Sequence, residues 1–185
     1  MSLIAVLDVD GTLVDSNYQH ALTWYRALRS LGETFPVWRL HRLIGMGGDH
    51  LVGEIGDEEL EQRIGDEARK RQGDLVGELI GEMAPLPGAR DLADAWTSSA
   101  DADETKPAPD LLQVALEKLG EPADAPSVVV GDSVWDVEAA KNAGMPAIAV
   151  RSGGFGDDEL RDAGAVAVYD TPGDLAAALD ETPLA

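Results

Sequence analysis

The 185-residue sequence predicts an α/β fold in which helices flank a parallel sheet. Short apolar runs at 3–7, 127–130 and 146–150 have the length of buried strands, and polar turns or helical patterns follow them. Between the first and second runs lies a long stretch, 16–83, in which only helical patterns occur. We therefore expect a helical insertion directly after the first strand of the sheet.

The first apolar run, 3–7, leads into the sequence D-V-D-G-T-L-V-D-S at 8–16. Asp8 and Asp10 are two positions apart, so in an extended chain both side chains point to the same face. Two adjacent carboxylates repel each other, and a site that keeps both charged favours a hard cation such as Mg²⁺. Gly11 allows a sharp turn close to a ligand. The alternative is an ordinary Asp-Gly turn at the end of a strand.

The insertion begins with a helical pattern of apolar residues at 21, 24, 25, 28 and 31. A shorter helix is expected over 37–44, followed by a glycine loop at 45–48. Asp49 is expected to cap the next helix, and an acid-rich helix is expected over about 57–83. The sequence P-L-P-G at 85–88 then breaks the helical pattern.

A short helix is expected over 89–96, and the sequence K-P-A-P-D follows at 106–110. Its two prolines make a rigid approach to an amphipathic helix that contains apolar residues at 111, 112, 115, 116 and 119. A lone lysine before a helix is usually solvated, so Lys106 gains interest only beside the acidic motifs.

The second strand, 127–130, runs into the sequence G-D-S-V-W-D at 131–136. Asp132 lies at the carboxyl end of the strand, where open α/β sheets bind ligands. Asp136 follows in the first turn of a helix, 134–143, and can face the same ion, while Ser133 can cap that helix. A third strand at 146–150, a glycine-rich loop without an assigned catalytic role, an edge strand at 166–169 and a last helix at 172–179 complete the chain.

The charge of the chain limits its partners. It contains 35 acidic and 14 basic residues, for a net charge of −21, and no cysteine. Such a surface repels nucleic acid and anionic membranes, so neither is an expected partner. No apolar run is long enough for a transmembrane helix and the first residues do not resemble a signal peptide, so we expect a cytoplasmic protein. The sequence does not indicate an oligomeric state.

Three motifs occur in the order D-V-D-G-T at 8–12, K-P-A-P-D at 106–110 and G-D-S-V-W-D at 131–136. Together they resemble the motifs of the haloacid-dehalogenase-like (HAD-like) hydrolase superfamily. The resemblance favours the helical-cap phosphatase branch, which includes phosphoglycolate phosphatase. It implies a Rossmann-like (HAD-like) core formed by 1–15 and 88–185, with a helical cap at 16–87. In the cap, the loop at 42–50 is the candidate for touching substrate, and His20, His41 and His50 are expected to be surface residues without a catalytic role.

The resemblance also implies a Mg²⁺-dependent phosphatase that acts on a small phosphorylated molecule. Asp8 would be the nucleophile and Asp10 the general acid and base, while Lys106 would offset charge on the phosphoryl group. The implied Mg²⁺ ligands are Asp8, the Asp10 main-chain carbonyl, Asp132 and Asp136, and the implied phosphate-binding residues are Gly11, Thr12, Thr97 and Ser98. Because Asp10 is present, the motif does not match the dehalogenase branch.

One segment of the family pattern is missing. A strand–helix–strand unit takes roughly 30 residues, and only 89–105 lie between the predicted hinge and Lys106. We infer that the strand carrying the family's second motif is deleted. The predicted function is hydrolysis of a small phosphomonoester, of the phosphoglycolate or sugar-phosphate type, through an aspartyl-phosphate. The alternative is a catalytically impaired, truncated HAD-like protein that at most binds Mg²⁺.

Overall fold

The computed structural model describes residues 3–92 and 106–182. The chain divides into two compact units, one formed by Met1–Asp15 and Pro85–Ala185 and the other by Ser16–Ala84. The first unit contains a parallel sheet, and the described elements of the second are predominantly helical. That the second unit serves as a cap remains a prediction.

The sheet of the first unit consists of β1 (Ile4–Leu7), β4 (Ser127–Gly131), β5 (Ala147–Val150) and β6 (Ala167–Tyr169). These strands are all parallel and lie in the order β1-β4-β5-β6. The apolar strands β4 and β5 are buried at every position, because helices pack against them. The α/β class and the parallel sheet predicted from the sequence are thereby confirmed.

The prediction that β1 is a buried strand is wrong. Ala5 is exposed and the other residues of β1 are only partly buried. Among residues 3–92 and 106–182, β1 is the terminal strand of the sheet and pairs with β4 alone. A strand with a neighbour on one side is covered less than a central strand, which accounts for the difference.

The helices of the first unit follow the sheet strands along the chain: α5 (Asp110–Lys118), α6 (Val134–Asn142), α7 (Asp157–Ala163) and α8 (Pro172–Ala177). Ser133 is the N-cap of α6, as predicted, and its hydroxyl accepts a hydrogen bond from the Asp136 main-chain N–H. Of the helix predicted over 89–96, the described part is a 3₁₀ helix, Ala89–Asp91, and residues from 93 onward lie outside the described ranges.

The second unit contains four α-helices in its described chain: α1 (Asn17–Ser30), α2 (Val37–His41), α3 (Gly48–Ile55) and α4 (Glu58–Leu79). Their apolar faces bury a core that includes Trp24, Leu28, Leu40, Leu51 and Val52. Two predicted bounds are wrong. Helix α2 ends at His41 instead of 44, and α4 gives way to a 3₁₀ helix, Ile80–Glu82, instead of running to 83.

Two smaller expectations about the second unit are also wrong. The N-cap of α3 is Gly47, and Asp49 lies in the first turn, where its charge still suits the positive end of the helix. His20 and His41 are partly buried instead of lying on the surface. His41 stacks on Tyr18 with ring centroids 4.7 Å apart, and His20 lies 3.2 Å from the amide nitrogen of Gln72. Only His50 is exposed.

The short strands β2 (Val14–Asp15) and β3 (Ala84–Pro85) pair with each other. Nearby, the Leu86 N–H donates a 2.8 Å hydrogen bond to the Leu13 carbonyl. In the described part of the chain, no helix is long and apolar enough to cross a membrane.

Candidate active site

The pairing of β1 with β4 brings the two acidic motifs together. Leu7 lies opposite Val130 in the parallel register, and the Asp8 N–H donates a 2.8 Å hydrogen bond to the Val130 carbonyl. Since both strands run in the same direction, the residues that follow them meet at one edge of the sheet. Ligand atoms of Asp8, Asp132 and Asp136 consequently lie within 4.8 Å of one another.

Asp132 and Asp136 are held by the turn between β4 and α6. Both side chains are buried, with relative exposures of 1% and 2%. The main-chain N–H and the hydroxyl of Ser133 donate to Asp136 Oδ2 at 3.1 and 2.5 Å. A Cβ at Gly131 would lie 2.3 Å from Asp136 Cβ, so only glycine leaves room for this arrangement.

Thr12 connects the motif that follows β1 to the motif that follows β4. Its side chain is fully buried, and its hydroxyl donates a 3.0 Å hydrogen bond to Asp132 Oδ1. A hydrogen bond donated to a buried carboxylate stabilises the charged form. The family resemblance implies a phosphate-binding role for Thr12, whereas the contact that the structure gives its side chain is with a carboxylate of the acidic cluster.

Lys106 provides the positive charge at this cluster. Its Nζ contacts Asp8 Oδ1 and lies 2.7 Å from Asp136 Oδ1. Burial acts against the charge of Lys106, but the attraction of Asp136 and Asp8 outweighs burial and raises the pKa of the lysine above its usual range. Lys106 is thus held as an ammonium between the two carboxylates.

The carboxyl of Asp8 is in the opposite situation. Burial raises the pKa of Asp8 to about 6, against the attraction of Lys106. The negative charges of Asp136 and Asp10 act in the same direction as burial. A further cation beside the carboxyl of Asp8 would favour its charged form.

The donor set fits a divalent cation. Three carboxylates have oxygens that lie close together, and two of the three are almost fully buried. The ammonium of Lys106 contacts two of them, Asp8 and Asp136. Buried charge of one sign is costly unless it is balanced. Oxygen ligands of this type suit Mg²⁺, a hard cation.

The remaining predicted site residues have separate outcomes. Asp10 follows β1, is exposed and is close enough for its charge to affect Asp8. Gly11 has a φ of +85°, a conformation that favours glycine, and its N–H donates to the Val14 carbonyl. Thr97 and Ser98 lie outside the described residues. The loop 42–50 belongs to the second unit.

Two residues of the turn after β5, which the sequence did not predict, also contact the site. The hydroxyl of Ser152 donates a 2.5 Å hydrogen bond to the Gly11 carbonyl. A Cβ at Gly153 would lie 1.9 Å from Asp132 Oδ2. A glycine pair without a phosphate-loop pattern gave no signal for either contact. The pairing of β5 with β4 was the available hint, since it brings the end of β5 beside Asp132.

Comparisons with known proteins agree with this fold. A family model described as HAD-hydrolase-like matches residues 104–178. A phosphoglycolate phosphatase from Rhodospirillum rubrum is 42% identical over 67 residues, which is 36% of this chain and 27% of that relative's length.

Solved structures match over nearly the whole chain. A hydrolase from Pseudomonas syringae has a TM-score of 0.88 and 29% identity, covering 97% of this chain and 99% of that one. A structure described as a predicted phosphatase from Clostridium acetobutylicum has a TM-score of 0.82 at 19% identity, covering 98% and 100%. Fold and site therefore define an α/β protein with an acidic site at the carboxyl edge of its sheet. Residues 104–178 thus match the HAD-hydrolase-like family, and the chain as a whole shares the fold of the hydrolase from Pseudomonas syringae.

Proposed function

We propose that this protein is a Mg²⁺-dependent phosphatase that hydrolyses a small phosphomonoester, of the phosphoglycolate or sugar-phosphate type. One observation carries the proposal: Asp8 follows β1 directly, contacts the Lys106 ammonium and shares a cluster with Asp132 and Asp136. A carboxylate in this setting can act as a nucleophile toward phosphorus. The similarity to a phosphoglycolate phosphatase supports the substrate class.

The residues that would hold Mg²⁺ are Asp8, Asp132 and Asp136, together with the main-chain carbonyl of Asp10. When bound, Mg²⁺ would balance negative charge on the phosphoryl oxygens. The protein has a net charge of −21 and repels an anionic substrate at long range, so the site must be positive locally. Lys106 contributes to that local charge.

The reaction divides into two displacements at phosphorus. In the first, a carboxylate oxygen of Asp8 forms a bond to phosphorus while the bond from phosphorus to the alcohol oxygen breaks, and Asp10 gives that oxygen its proton. In the second, Asp10 takes a proton from water, the water oxygen bonds to phosphorus, and the bond to Asp8 breaks. Inorganic phosphate and the free carboxylate of Asp8 result. Lys106 offsets the charge on Asp8 and on the phosphoryl oxygens.

Lys106 also affects the repulsion between the carboxylates of Asp8 and Asp136. Its ammonium contacts both carboxylates, which reduces their mutual repulsion while leaving Asp8 at the end of β1. Lysine suits this role because its charge is compact and three donors can be shared among several oxygens.

The proposal is tested by phosphate release from a panel of small phosphomonoesters with Mg²⁺ and with EDTA. We expect turnover that requires Mg²⁺ and is lost in Asp8→Asn, and we expect acid-quenched protein to carry phosphate on the peptide that contains Asp8. Asp162→Asn, which removes an exposed carboxylate elsewhere, is the matched control.

A folded protein that binds Mg²⁺ but releases no phosphate from any substrate would favour the catalytically impaired alternative. The observation that favours this alternative is the position of β1, the terminal strand of the sheet in the described part of the chain.

A further inference from the structure

We infer that the turn after β5 positions two parts of this site, with Ser152 holding the Gly11–Thr12 peptide and Gly153 leaving the space that the Asp132 carboxylate occupies. The turn is a 3₁₀ helix, Arg151–Gly153. Both are positioning residues, since their contacts are with the residues of the site. The inference rests on the proposed function and adds two determinants of it.

Ser152 acts on the loop that follows β1. Its hydroxyl donates to the Gly11 carbonyl across 141 residues of sequence. Because a trans peptide is planar, fixing the direction of the Gly11 carbonyl also fixes the Thr12 N–H, which points the opposite way. This peptide is the second after Asp10. Ser152 thus sets the orientation of the backbone that the family resemblance assigns to phosphate binding.

Gly153 acts on the metal-binding carboxylate. A Cβ at this position would lie 1.9 Å from Asp132 Oδ2 and 2.6 Å from the Asp132 carbonyl oxygen. The φ of Gly153 is not positive, so space is what requires glycine here, and not backbone conformation. Any side chain would displace the Asp132 carboxylate or its main chain.

Asp132 is consequently confined on two sides. Thr12 donates to Oδ1, while Gly153 lies against Oδ2. The register of the sheet explains the second contact: Gly131 lies opposite Ala149, so the residues after β5 pass beside those after β4. Strand pairing therefore places the turn after β5 at the sheet edge where the residues that follow β1 and β4 meet.

The experiment compares Ser152→Ala, Ser152→Thr and Gly153→Ala with the unmodified protein. Arg151→Ala is the control for the turn, because Arg151 lies in the same turn but pairs with Asp170 on the surface at 2.7 Å. Gly73→Ala is the control for adding a methyl group, since a Cβ there meets no atom within 4 Å. For each protein we would measure the Kd for Mg²⁺ by calorimetry, kcat and KM for p-nitrophenyl phosphate, and the Tm in EDTA.

We expect Gly153→Ala to raise the Kd for Mg²⁺ about 10-fold or more, as disturbing the surroundings of a metal ligand commonly does. We expect Ser152→Ala to raise KM about fivefold, the equivalent of one hydrogen bond, with the Kd for Mg²⁺ within about twofold. Ser152→Thr keeps a hydroxyl and should restore KM. Both controls should match the unmodified protein in Kd and KM.

A lower Tm with unchanged Kd and KM in Ser152→Ala and Gly153→Ala would mean that the turn is merely structural, and would overturn the inference. If the unmodified protein binds Mg²⁺ and hydrolyses the ester while both variants equal it, the inference alone fails. If the folded, unmodified protein neither binds Mg²⁺ nor hydrolyses the ester, the proposed function fails and the inference fails with it.

Discussion

Lys106 and Asp136 form a buried ion pair, with Nζ 2.7 Å from Oδ1, although 30 residues separate them in the chain. The same ammonium contacts Asp8, so one lysine joins the proposed nucleophile, which follows β1, to the first turn of α6. The charge of Lys106 therefore balances two carboxylates of the acidic cluster, those of Asp8 and Asp136.

Removing the charge of Lys106 should lower both the activity and the stability of the protein. We expect Lys106→Met to lower kcat about 100-fold or more, since a preorganised charge next to the reacting group is lost. In EDTA the variant should also lose about 3 kcal/mol of unfolding free energy, because two carboxylates are left without their partner. Phosphate release and urea unfolding measure the two effects.

The control for this substitution is Lys141→Met, which removes an exposed lysine from α6. It should leave both quantities close to those of the unmodified protein. Equal activity in the two variants would show that Lys106 does not serve the reaction.

Asp10 is expected to affect turnover more than metal binding. Its side chain is exposed, and the acidic cluster consists of Asp8, Asp132 and Asp136. Asp10→Asn keeps the main-chain carbonyl but cannot transfer a proton, so kcat should fall about 100-fold or more while the Kd for Mg²⁺ stays within about twofold. A variant with normal kcat, or one that loses turnover and Mg²⁺ binding together, would contradict the acid–base role.

The raised pKa of Asp8 predicts a stability that depends on pH in EDTA. Burial raises this pKa to about 6 from 3.8, so folding favours the protonated carboxyl. The stability that Asp8 contributes is complete below pH 3.8 and is lost as the pH rises through 6. Asp8→Asn imitates the protonated form. The unfolding free energy of Asp8→Asn should exceed that of the unmodified protein by about 3 kcal/mol at pH 8 and by about half of that at pH 5.

Urea unfolding at pH 5 and pH 8 measures this difference while keeping the protein above its pI of about 4.2. Asp162→Asn is the control for removing an exposed carboxylate. An advantage of Asp8→Asn that is the same at both pH values would show that the carboxyl of Asp8 does not titrate in this range.

The close approach of Gly88 to Gly173 predicts that position 88 requires glycine. A Cβ at Gly88 would lie 2.3 Å from the Gly173 Cα, and the φ of Gly88 is +80°. Gly120 is a matched control, because its φ is +76° and a Cβ there meets no atom within 4 Å. Gly120→Ala should cost about 1 kcal/mol of unfolding free energy, from backbone conformation alone. Gly88→Ala should cost about 3 kcal/mol or more. If Gly88→Ala and Gly120→Ala lower the unfolding free energy equally in urea, the close approach of Gly88 to Gly173 is excluded.

Much of the fold and the acidic cluster could be predicted from local sequence. Each aspartate of the cluster lies directly after a strand or in the first turn of the next helix, and parallel strands bring such positions to one edge. Asp8, Asp132 and Asp136 were therefore identifiable, and Lys106 became so through its motif.

Other features depend on contacts between distant residues. Nothing near Ser152 indicates that its hydroxyl contacts Gly11, and nothing near Gly153 indicates that its missing Cβ makes room for Asp132. Ala5 is exposed on β1, the terminal strand of the sheet among the described residues, and the apolar sequence of β1 does not determine that position. The partial burial of His41 likewise depends on its stacking with Tyr18.

The most direct test of the proposed site is a thermal melt of the protein with Mg²⁺ and beryllofluoride, which imitates a phosphoryl group on an aspartate. The comparison is with Asp8→Asn under the same conditions, and no substrate has to be known. We predict a rise in Tm of the unmodified protein that Asp8→Asn does not show, because a ligand that binds only the folded state stabilises it. A cooperative melt with no rise, or an equal rise in Asp8→Asn, would contradict the proposal that Asp8 is the nucleophile of a phosphatase.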